Sequence, residues 1–303
     1  MAQLFGGEPP PPVPAKAMAA LVALFLGLAS QSAVSAEPPV LNEALPRANQ
    51  AYESRNYPEA MRLYRKAVED GGDPLAAVRV GIMYSKGLGV AQDPAEAVLW
   101  YRKAADQGYV LGEFNLAISY RSGDGIDQDY AEALRWFYAA AGQGYAPAQY
   151  NLGFMYQKAE GVPKNNPEAA RWYRAAAEQG LAVAQVTLGD DYLTGAGVAK
   201  DHAQALAWFR KAADQGNPAA QYAVGSAYTS GDSVKKDYAE AMRWLTKAAE
   251  QGFVPAEFVI GDLYDKGLGV PRNLAQARDW MNKAAAGGDD RAKKWLAAPH
   301  PAR

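Results

Sequence analysis

Few side chains in this sequence are of the types that carry chemistry, and their spacing limits what they could do. There is no cysteine, which removes disulfides, zinc–thiolate sites, thiol nucleophiles and a lipobox-type lipid anchor. The histidines are His202, just after a helix-capping Asp201, and His300, between Pro299 and Pro301. Neither a metal cluster nor a histidine-based triad can be assembled from them. Ser233-Val234-Lys235-Lys236 fits the S-x-x-K pattern of serine β-lactamases, but it falls in a glycine loop with no S-D-N or K-T-G to accompany it. Gly87-Leu88-Gly89 lacks the third glycine and the βαβ setting of a dinucleotide loop, and no GxxxxGK[ST] occurs. Asp124-Gly125-Ile126-Asp127-Gln128-Asp129 lacks the EF-hand spacing and its closing glutamate. The expectation is therefore a chain with no catalytic residues, no metal and no cofactor.

A hydrophobic fraction of 49% and a charged fraction of 21% describe a foldable chain. The net charge of −2, with both signs interleaved, offers no basic stripe for phosphates, so nucleic acid is not an expected partner.

The elements that must position any site are set by an internal period of 36 residues. Trp100, Trp136, Trp172, Trp208, Trp244 and Trp280 follow it, as do Tyr84, Tyr120, Tyr156, Tyr192, Tyr228 and Tyr264. Gly108, Gly144, Gly180, Gly216, Gly252 and Gly288 keep the same step. Each unit resolves into two helices. The second opens on Asp93, Asp129, Asn165, Asp201, Asp237 or Asn273, with Glu or Gln three residues later, the pattern of a reciprocal capping box. Ala97, Trp100, Ala104 and Ala105 then recur on one helical face, which predicts that the tryptophans are core rather than ligand-stacking residues. The first helix carries a small residue, an aliphatic, a glycine and a tyrosine, as in Ala148, Leu152, Gly153 and Tyr156. A mid-helix glycine costs about 1 kcal/mol relative to alanine, so its recurrence predicts a close helix crossing. Between the helices, spaced glycines precede an aliphatic residue, as in Gly87-Leu88-Gly89-Val90; Ala159 replaces the first glycine of the third loop and Ser233 the second glycine of the fifth.

These residues resemble the Sel-1-like repeat family, a relative of the tetratricopeptide repeats. The resemblance covers six repeats over residues 73–288 (73–108, 109–144, 145–180, 181–216, 217–252 and 253–288). Residues 42–72 are closer to a plain tetratricopeptide helix pair, with Leu63 where the tryptophan would stand, and residues 289–303 read as a capping helix and tail. The resemblance implies an all-α fold, a right-handed α/α superhelical solenoid of antiparallel helix pairs, whose first helices line a concave groove. It also implies a non-enzymatic scaffold that binds a protein or peptide partner. Some relatives have been described as β-lactamases, which makes a cell-wall or β-lactam hydrolase the alternative, but those relatives are cysteine-rich.

Binding would lie in what differs between repeats. The first-helix positions outside the core face give Arg79, Asn115, Asn151, Met155, Asp190 and Asp191 as candidate partner-binding residues. Upstream, the apolar run from Ala17 to Ala29 follows Lys16 and precedes Val34 and Ala36, the h-region and cleavage pattern of a secretory signal peptide over residues 1–36, with residues 37–41 as a linker. At about 13 residues it falls short of the roughly 20 needed to span a bilayer. The expected location is periplasmic or secreted, with Met1 and Met18 both open as the start. An uncleaved N-terminus would instead mark a cytosolic co-chaperone-like adaptor.

Overall fold

The computed structural model describes residues 44–299, and the signal-peptide expectation and His300 lie outside them. Among the described residues the chain forms fifteen α-helices and no strand. It divides between Asp129 and Tyr130 into two compact units. The first holds α1 (Ala44–Glu53), α2 (Tyr57–Gly71), α3 (Pro74–Lys86), α4 (Pro94–Ala105) and α5 (Val110–Ser122). The second holds α6 (Tyr130–Gly142), α7 (Ala146–Lys158), α8 (Asn166–Glu178), α9 (Ala182–Thr194), α10 (His202–Asp214), α11 (Pro218–Ser230), α12 (Tyr238–Glu250), α13 (Val254–Lys266), α14 (Leu274–Ala286) and α15 (Asp290–Ala297). Within each unit, helices consecutive in sequence pack on one another as antiparallel pairs. In the repeat frame, α3, α5, α7, α9, α11 and α13 are first helices; α4, α6, α8, α10, α12 and α14 are second helices.

The caps form, but not reciprocally. The side chains of Asp93, Asn165, Asp201, Asp237 and Asn273 each accept from the backbone N–H three residues on. Their own N–H groups go elsewhere: those of Asp93, Asn165, Asp201, Asp237 and Asn273 donate to the carbonyls of Tyr84, Tyr156, Tyr192, Tyr228 and Tyr264, and Asp129 does the same with Tyr120. The bond closes the interhelix loop and leaves the glutamate free for another partner. Glu96, Glu132 and Glu240 use that freedom to accept from the indole Nε1 of Trp100, Trp136 and Trp244. The Asx thus begins the helix, and the glutamate of its first turn holds the tryptophan one turn further on.

The seat buried in every repeat is the residue after the tryptophan. Tyr101, Phe137, Tyr173, Phe209, Leu245 and Met281 are all buried, whereas Trp100, Trp172, Trp244 and Trp280 are only half-buried. The reason is the first-helix glycine. A Cβ on Gly153 would lie 2.6 Å from Cδ1 of Tyr173 and 3.0 Å from the Ala169 carbonyl oxygen, so only glycine lets the Tyr173 ring lie flat on α7. Gly81 with Tyr101, Gly189 with Phe209 and Gly225 with Leu245 repeat this crossing. Trp136 and Trp208 are buried as the sequence predicts, and the other four sit nearer the edge of the layer; Lys211, Lys247 and Lys283 place their ammonium groups 3.7, 4.2 and 4.0 Å from the ring centroids of Trp208, Trp244 and Trp280.

First helices end on a left-handed residue whose N–H returns to the last turn, usually glycine, as at Gly195. The exception is Ala159, with φ +61°, closing α7 by donating to the Met155 carbonyl. Its Cβ sits in a region that costs an L-residue roughly 1–2 kcal/mol. Ala159→Gly is expected to stabilise the protein by about 1 kcal/mol, read as a higher urea midpoint at unchanged slope.

Candidate protein-interaction surface

Hydrogen bonds between successive repeats account for much of what recurs. Arg65 and Arg102 donate to the hydroxyls of Tyr84 and Tyr120 at 2.9 and 2.5 Å in the first unit. Arg174 and Arg210 donate to Tyr192 and Tyr228 at 2.8 and 2.7 Å in the second. Tyr138 stands in for the arginine and meets Tyr156. Each bond ties a second helix to the first helix of the next repeat. A second series joins Gln179 to Gln149, Gln215 to Gln185 and Gln251 to Gln221 at 2.7–2.9 Å. These residues are satisfied inside the fold, so a partner must use others.

The remaining variable surface is a stripe along the first helices of the second unit. Phe154, Asp190, Ser226 and Asp262 share one register position, and Tyr150, Val186, Tyr222 and Phe258 lie one turn earlier. All are half-buried except Asp190, which is exposed. Asp262 pairs with Lys266 at 2.7 Å, and Arg291 stands 4.1 Å over Phe258. The surface is aromatic with spaced carboxylates, a composition suited to a polypeptide rather than to an anionic ligand. The Tyr150 series is absent from the candidates drawn from the sequence. Its signal was present: bulky, varying side chains one turn before a variable position, outside the invariant core register.

The structure sorts the six sequence candidates. Asn151 is fully buried and donates its Nδ2 to the Pro147 carbonyl at 2.8 Å, and Met155 is fully buried in the core. A partner therefore has no access to either. The register explains this, because the position following the variable one turns back toward the helix pair. Asn115 is half-buried and likewise donates to its own helix, at Leu111. Arg79, on α3 of the first unit, is half-buried. Asp190 and Asp191 are neighbours on α9: Asp190 reaches solvent, whereas Asp191 is only 4% exposed. Burial pushes the Asp191 carboxyl up to about 7, with the Asp190 charge adding to the shift. Although open to solvent, Asp190 is flanked closely enough by protein for its carboxyl to be raised to about 6.

The residues examined for chemistry remain apart. No hydrogen bond joins Ser233 to Lys236 among the described residues; Lys236 is exposed, 5.8 Å from the Tyr238 ring centroid. His202 opens α10 and is half-buried. Among the described residues no three His, Cys, Asp or Glu side chains converge as a metal-binding group, and no helix is long and apolar enough to cross a membrane.

Helix pairs repeated every 36 residues, clamped repeat to repeat and varying mainly on one helical stripe, define a helical-repeat protein of the kind that typically serves as an interaction scaffold. The Sel1 repeat family matches residues 50–72, 74–109, 110–145, 146–181, 182–217, 218–253 and 254–289, and the chain belongs to that family. The first match falls on the helix pair that the sequence alone places nearer the tetratricopeptide repeats. Among solved structures, a Sel1 repeat protein from Oxalobacter formigenes is 34% identical, with a TM-score of 0.73 over 80% of this chain and 99% of its own. The c5321 protein, a protective antigen present in uropathogenic Escherichia coli strains, is 36% identical, with a TM-score of 0.76 over 84% of this chain. This chain spans 55% of that antigen's length. No curated protein matches.

Proposed function

We propose that this protein is a non-enzymatic scaffold of the bacterial envelope that binds a partner polypeptide through the first-helix stripe of its repeats. The observation that carries this reading is the division of labour within the repeat. The recurrent Tyr hydroxyls and the Gln pairs are consumed in clamps between helices, while Tyr150, Phe154, Val186, Tyr222 and Ser226 lie at a half-exposed register whose residues differ between repeats. Tyr150 and Tyr222 rest one side on Tyr173 and Phe253 in the repeat packing, and the partly exposed remainder of the stripe is suited to packing against another chain. Its test is a photocrosslinking side chain placed at Ser226, on the stripe, or at Ala207, on the exposed face of α10, in the cell that natively makes the protein. Adducts with one partner are expected from position 226 and not from position 207. Equal adducts from both, or none from the stripe, would dismiss the surface.

Placement in the envelope rests on the apolar run at residues 17–29 and the small residues before Glu37. The likeness to a protective antigen is consistent with it. Mass spectrometry of the exported chain should show an N-terminus at Glu37; an intact N-terminus in the cytosol would remove this part of the reading and favour the cytosolic adaptor.

A further inference from the structure

At the junction of α12 with α13 the clamp between repeats is missing. Tyr264 holds the register of Tyr84, Tyr120, Tyr192 and Tyr228, whose hydroxyls accept from Arg65, Arg102, Arg174 and Arg210. The residue placed to donate to Tyr264 is Thr246. A threonine hydroxyl stands on Cβ and is too short to bridge to the next first helix. Among the described residues the Tyr264 hydroxyl has no hydrogen-bond partner.

The chain carries its own picture of what fits there. Met61, Arg62 and Lys66 of α2 stand in the register of Met242, Arg243 and Lys247 of α12, and between them Arg65 is replaced by Thr246. Arg65 donates to the Tyr84 hydroxyl at 2.9 Å, with its guanidinium 5.8 and 5.7 Å from the ring centroids of Tyr84 and Trp100. The matching rings beyond α12 are Tyr264 and Trp280. Met61 is buried, whereas Met242 is half-buried and lines an open cavity of about 430 Å³ with Thr246, Lys247, Gly269 and Val270. That volume is of the size of small-ligand clefts.

The basic neighbours neither close the cavity nor exclude a cation from it. Arg243 is paired with Glu240 at 3.1 Å, and the Lys247 ammonium lies 4.2 Å from the Trp244 ring centroid. In α2 the same two positions are likewise engaged, Arg62 by Glu59 and Lys66 by Asp70, and Arg65 stands between them.

We infer that the α12–α13 junction is a socket for an arginine side chain supplied by a partner polypeptide. The methylene stem packs on Met242 and Val270, and the guanidinium donates to the Tyr264 hydroxyl beside the Tyr264 and Trp280 rings. A planar guanidinium suits a stacked, hydrogen-bonded seat better than an ammonium does. This site lies on the second-helix side of the repeats and stands independently of the first-helix stripe.

The test labels the methionine methyls of the full chain with ¹³C and assigns the Met242 signal with Met242→Leu. Titration with Nα-acetyl-arginine amide should shift that signal saturably, with a Kd on the order of millimolar, and the lysine counterpart should bind about tenfold more weakly. Tyr264→Phe should weaken the arginine probe about tenfold. Thr246→Arg supplies the guanidinium from within, so it should raise the urea midpoint and abolish the response. Dodecapeptides displayed on phage, selected on the unmodified chain and depleted on Thr246→Arg, should then carry an arginine whose change to lysine weakens binding. Should Thr246→Arg fail to fold, Tyr264→Phe, which removes only the hydroxyl, takes its place in the depletion. Equal binding of the two probes, a response that persists in Thr246→Arg, or selected peptides without arginine would overturn the socket. So would a stabilised Thr246→Arg beside an unmodified chain that answers neither probe, since the clamp would then serve packing alone.

Discussion

Replacing Gly197 with alanine should destabilise the protein by about 3 kcal/mol, far more than the same change at most exposed glycines. Two effects add. Gly197 has φ +78°, where an L-residue is strained by roughly 1–2 kcal/mol. A Cβ there would also drive into the carbonyl of Asn166 and stand 2.8 Å from the Pro167 nitrogen, the first turn of α8. Those atoms are backbone, so they cannot swing aside as a side chain can. Gly180→Ala is the matched control: its φ is +91° and a Cβ would meet nothing within 4 Å, so only the conformational part, about 1 kcal/mol, should appear. Urea unfolding of the two variants measures the difference, and amide hydrogen exchange across α8 to α10 locates it. Equal losses would show that the loop yields and that its contact with α8 is not what fixes the glycine. The chain carries a natural comparison in Ser233, which holds the same loop position and does not adopt a positive φ. A residue with a Cβ takes this place only where the loop runs differently.

That loop shows where the sequence stopped being informative. The repeat period, the helix pairs, the caps and the close crossing at the first-helix glycine all follow from residue type and spacing, because each is a local rule applied six times. What spacing could not reveal was which of two neighbouring apolar residues is deeper. Trp100 and Tyr101 both sit on the inner side of α4, and only the packed geometry shows Tyr101 against Gly81 with Trp100 at the edge, tied to Glu96. The same limit governs the candidate surface. Met155 and Phe154 are adjacent and both apolar, yet one is fully buried and the other half-exposed, since a helix turns by about 100° per residue. The capping glutamate was read as reciprocal because an N-cap N–H competing for the tyrosine carbonyl nine residues upstream leaves no local trace.

Asp191→Asn is expected to stabilise the protein by about 2 kcal/mol at pH 8 and to change little at pH 4. The folded-state pKa of Asp191 is raised from 3.8 to about 7 by burial, so the folded chain holds its proton more tightly than the unfolded chain. Stability is then greatest at low pH and declines as pH rises from the unfolded value near 4 to the folded value near 7, above which the full penalty is present. A shift of that size would approach 4 kcal/mol if the site were rigid and Asp190 stayed charged throughout; because the Asp190 carboxyl titrates alongside it and the surroundings relax, about half is expected. The comparison is the difference in urea unfolding free energy between Asp191→Asn and the unmodified chain at pH 4, 6 and 8. A difference independent of pH would show that the substitution acts through packing and not through charge. The matched positions in neighbouring repeats carry Met155, Ala227 and Leu263, so the fold has no need of a carboxylate here.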